Sequence, residues 1–67
     1  MIESKQLTIM ADALQRILQT AKEHPAFDQV LFEAHDLPML SKVRRDTFDV
    51  VMIAIIAQDA LKEAGQL

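Results

Sequence analysis

His24, Glu33, His35 and Asp36 are the one group of side chains in this 67-residue chain whose types could do metal chemistry. Imidazole nitrogens and carboxylate oxygens together bind zinc or another divalent ion. The spacing argues against it, because the two histidines are not four residues apart as on a helical zinc motif. The four residues flank two prolines and read as polar loop positions. Lys42, Arg44 and Arg45 form the only basic cluster, able to contact phosphates or an acidic partner. No aromatic residue is interleaved and no glycine turn precedes it, and Asp46 and Asp49 offset much of its charge. A solvated helix face with local ion pairs is the simpler reading. Covalent catalysis has little to work with: there is no cysteine and no glycine-rich phosphate loop. Ser4 and Ser41 have no histidine or carboxylate at a spacing that implies a triad. Asp46/Asp49 and Asp59/Glu63 stand at ordinary surface-helix separations. A pocket of the usual ~300 Å³ or more is hard to enclose in one chain this short. The expectation is no catalytic residue, no metal and no cofactor.

With chemistry unsupported, composition points to binding. Half of the chain (51%) is hydrophobic, with three aromatics, all Phe, one Gly and two Pro. Such content does not suit a disordered chain, and too few turn residues are present for an all-β fold. Phe27, Phe32 and Phe48 are expected in the core, with Met10, Met39 and Met52 as gap-fillers. The net charge of −3 disfavours a general nucleic-acid binder. The longest apolar run, the eight residues Val50 to Ala57, is bracketed by Asp49 and Asp59. It falls far short of the roughly 20 apolar residues that span a bilayer. The N-terminal residues lack the basic and apolar regions of a signal peptide. A cytoplasmic protein with no membrane contact is expected.

The elements that must position these residues are helices. Leu7, Met10, Leu14, Ile17, Leu18 and Ala21 recur at three- and four-residue steps, which predicts an amphipathic helix over about 4–23. Ser4 can cap it, Asp12 and Arg16 pair across one turn, and Ile2, Ile9 and Ala13 widen its apolar surface. Pro25 ends it and suits the first position of a short connector helix over about 25–35, with a short strand at 29–32 as the competing assignment. A last helix is predicted over about 39–64, stopped by Gly65. Its start is open between Asp46 as cap and a longer helix from near Pro38. Leu40, Val43 and Thr47 favour the longer one, with Lys42–Asp46 and Arg45–Asp49 as ion pairs.

The fold class expected is therefore all-α, one domain over 1–67 with two main helices and a short helical connector. The apolar run makes the last helix two-faced. Val43, Val50, Ala54, Ala57, Leu61 and Ala64 form a face centred on small residues, and Phe48, Val51, Met52, Ile55 and Ile56 a bulky one. One face is expected on the first helix and the other on a second copy, giving a helical-bundle homodimer. A domain of this size usually needs disulfides, a metal or oligomerisation; without cysteine, and with two histidines too few for a convincing zinc site, the last is the device expected. The function expected is that of a small non-enzymatic interaction protein with a protein partner: an adaptor, inhibitor or accessory regulator of the kind found, by analogy, among bacterial and phage genes. The alternative is a dimeric DNA-binding transcriptional regulator using Lys42, Arg44 and Arg45.

Overall fold

The computed structural model describes residues 4–35 and 37–65. Four helices follow in order: α1 (Ser4–Glu23), α2 (Gln29–Ala34), α3 (Leu37–Leu40) and α4 (Arg45–Glu63). No strand occurs among the described residues. The all-α class and its two long helices agree with the hydrophobic periodicity, and α1 has the predicted bounds. The cap expected at Ser4 falls on a side chain outside those described, as does Ile2. Asp12 and Arg16 pair at 3.0 Å, as their spacing predicts.

Between α1 and α2 the chain turns instead of restarting a helix at Pro25. His24 N–H donates to the Ala21 carbonyl and Phe27 N–H to that of His24, closing a tight turn around the proline. Asp28 then caps α2 from extended backbone, its Oδ1 accepting from Leu31 N–H at 3.2 Å. Such a cap satisfies one of the amide donors orphaned at a helix start. His35 ends α2 in the left-handed region, with φ 54°, and donates its N–H to the Leu31 carbonyl. The connector helix is thus six residues long, not the eleven of 25–35.

The helix predicted over 39–64 is broken. Lys42 and Val43 donate to the carbonyls of Met39 and Leu40, three residues back, which overwinds and ends α3. Ser41 Oγ caps the break by donating to the Pro38 carbonyl at 2.8 Å. Arg44, with ψ 151°, is extended and stands at the N-cap of α4 without a side-chain cap bond. Asp46 lies inside the first turn and pairs with Arg44, where a carboxylate suits the helix dipole. Arg45–Asp49 forms as expected, at 3.2 Å. The physical reason for the break is packing, since the bend carries Leu40 into the core with none of its surface exposed. At the other end Gly65, φ 73°, supplies the expected stop, its N–H bonding to the Lys62 carbonyl.

α1 packs along α4, and the C-terminal end of α1 meets the N-terminal half of α4, so the two run antiparallel. Ala11 and Ala21 of α1 and Ala54 and Ala57 of α4 are buried, and these short side chains let the two backbones approach. α2 and α3 cover one flank of this hairpin. There Leu31, Phe32 and Leu40 pack with Val51 and Ile55, and Phe27 and Phe48 close the edges. Phe27 and Phe32 lie ring to ring at 5.4 Å, and Lys22 Nζ sits 5.2 Å over Phe32. Every buried side chain among the described residues is apolar. No helix among them is long and apolar enough to cross a membrane.

The result is elongated and thin, 41 × 20 × 15 Å, with a radius of gyration of 13.1 Å. A compact domain of this length would have about 11 Å. Among the described residues no helix covers the flank of the hairpin opposite α2 and α3.

Candidate functional site

The bare flank of the α1–α4 hairpin is the most developed surface feature. At 100° per residue, Leu18 and Lys22 turn toward α2 while Met10, Ala13 and Ile17 turn the other way. On α4, Val51 and Ile55 turn toward α2 and α3, while Ile53, Ile56 and Ala60 face out beside Ile17. Ile17 (46% exposed), Ile53 (48%) and Ile56 (61%) make this face, with Met10 and Ile9 toward the start of α1. Ile17, Thr20, Ala21, His24, Val50 and Ile53 line an open, almost wholly apolar groove of about 280 Å³ between the helices. From Val50 to Gln58, α4 carries no charge.

The five bulky residues expected at an interface are divided by the fold. Val51 and Ile55 are buried in the protomer's own core, and Phe48 and Met52 pack half-buried against it. Ile56 alone among them is exposed. The small-residue face of α4 is the one on α1. Ile53 belonged to neither expected face, although eight consecutive apolar residues must put some side chain between the two. Met10 and Ile17 were assigned to the inward stripe of α1, yet the stripe is wider than α4 can cover.

Lys42, Arg44 and Arg45 are all exposed around the α3–α4 turn. Arg44 and Arg45 hold Asp46 and Asp49 in ion pairs. Pairs this exposed contribute little to stability. An open cavity of about 430 Å³ lies beside them, lined by Leu40, Ser41, Val43, Arg45 and Phe48. The Lys42–Asp46 pair of the longer-helix reading gives way to Arg44–Asp46.

The imidazoles are committed locally. His24 Nδ1 accepts from Ala26 N–H at 3.0 Å, and His35 Nδ1 stands 3.3 Å from the Glu33 carbonyl. Glu33 Oε1 accepts from Gln29, and Asp36 lies outside the described residues. Among the described residues no three His, Asp or Glu side chains gather as metal ligands would. Ser41 Oγ is engaged with the Pro38 carbonyl. Comparison with protein-family models, with curated proteins and with solved structures returns no match. Among the described residues the arrangement offers apolar contact area carried on two long helices.

Proposed function

We propose that this chain is a small non-enzymatic helical interaction protein that works through protein–protein contacts as a cytoplasmic homodimer. Its role is that of an adaptor, inhibitor or accessory regulator. The open α1–α4 face carries this reading. Ile17, Ile53 and Ile56 hold large aliphatic groups in water on one surface, where α4 carries no charge between Asp49 and Asp59. Each is already about half covered, so completing its burial would release roughly 0.7–1.5 kcal/mol, about half the value for a whole side chain. An exposed apolar patch of this kind marks an interaction site. Oligomerisation also suits a small cysteine-free domain whose described core is held by apolar packing alone.

Sedimentation equilibrium at micromolar concentration tests it. The expected mass is twice 7.6 kDa; a species of 7.6 kDa defeats the homodimer. A second reading, a dimeric DNA-binding regulator, draws on the exposure of Lys42, Arg44 and Arg45 at one turn. It requires salt-sensitive binding of duplex DNA. A gel shift that fails at low salt removes it.

A further inference from the structure

We propose that the second copy docks on the open α1–α4 face in the reversed direction, α4 against α4 and α1 against α1, closing a four-helix bundle with α2 and α3 outside. This rests on the homodimer reading and specifies its surface and geometry.

Area favours a second copy. Helices of 20 and 19 residues are each about 30 Å long, and two packed side by side present a face about 20 Å wide. That is roughly 600 Å² in plan, close to the ~800 Å² that each partner contributes to a stable interface. The bundle that results has the dimensions of ordinary antiparallel bundles, in which each helix borders two others.

Shape sets the direction. The groove occupies one end of the face, where Thr20, Ala21 and His24 meet Val50 and Ile53. Met10, Ala13 and Ala60 lie toward the other end. Reversal sets the groove of each copy against the groove-free end of the other, with the reciprocal contacts of a two-fold interface. The unreversed arrangement stacks groove on groove. Reversal separates the Asp46–Asp49 ends of the two α4 helices and sets each near the Asp59–Glu63 end of the other, so the direction rests on shape and not on charge. The two-fold axis then passes close to Ile56, near the middle of the helical overlap.

The chain has no cysteine, so Ile56→Cys introduces a single thiol. Under mild oxidation it should form a disulfide-linked dimer in high yield, while Val30→Cys, 74% exposed on α2, should not. Ile56→Asp should raise the dimer dissociation constant at least about tenfold, with helical circular dichroism retained. A wild-type dimer that neither cross-links at Ile56→Cys nor weakens with Ile56→Asp overturns this interface and leaves the homodimer reading standing. Weakening without cross-linking overturns the reversed direction. A monomeric wild type overturns both readings. Loss of helicity in Ile56→Asp passes the decision to the cysteine variants, whose cross-linking supports the interface and whose failure overturns it.

Discussion

Asp28 is the side chain whose local role is best defined. Its Oδ1 accepts from Leu31 N–H, and α2 is only six residues long, too short to form without tertiary support. Asp28→Ala should therefore cost about 1 kcal/mol. Thermal unfolding should fall by about 4–8 °C, read by circular dichroism, while Asp28→Asn keeps the acceptor and should stay close to wild type. At the other end of α2, His35 holds φ 54°. The left-handed region is costly for a side chain branched at Cβ and mild for Gly. The midpoint order under urea should be His35→Gly at or above wild type, with His35→Val below both. Equal midpoints for all three would mean that the backbone relaxes there.

At the scale of elements, α4 carries three different kinds of apolar position. Ala54 is fully buried on the α1 side, Val51 fully buried in the core with α2 and α3, and Ile56 exposed. Ala54→Leu should force the two long helices apart and cost about 1–3 kcal/mol. Val51→Asp should abolish folding, because it buries an unpaired carboxylate. Ile55→Asp belongs with Val51→Asp and reports on folding, whereas Ile56→Asp reports on assembly. Far-UV circular dichroism beside sedimentation separates these outcomes. The two-sidedness of this helix was legible in the sequence, since an eight-residue apolar run leaves no polar flank. Which residues faced where was not, because α2 and α3 are too short to announce themselves by periodicity. Leu40 and Val43 look like the upstream continuation of α4 because core residues of a neighbouring turn fall by chance at helical spacing. The bend at Ser41 to Arg44 contains no Gly or Pro to mark it, and only the burial of Leu40 accounts for it. The open face was partly visible in Ile9 and Ala13, which exceed what one neighbouring helix can cover. The groove at its end could not be read, because it depends on the register between two helices far apart in sequence.

For the whole molecule, shape and stability make one argument. A hairpin covered on one flank buries too little surface to be very stable, and it is longer and thinner than its mass requires. If a second copy supplies the missing layer, folding and association are linked by mass action. The unfolding midpoint must then rise with protein concentration. A hundredfold increase contributes about 2.7 kcal/mol per dimer. Spread over the unfolding entropy of two chains, this raises the midpoint by on the order of 10 °C. Ile56→Asp should flatten that dependence while keeping the helical signal, because it acts on the face between copies and not on the core. Salt should not weaken the dimer, since its contacts are mainly apolar, the α4 ends that approach are both acidic, and the three ion pairs of the described residues are all exposed. A midpoint that stays constant across the hundredfold range would mean that the hairpin is stable with its flank bare. The open face would then be held for a different protein, and the self-associating dimer would be wrong.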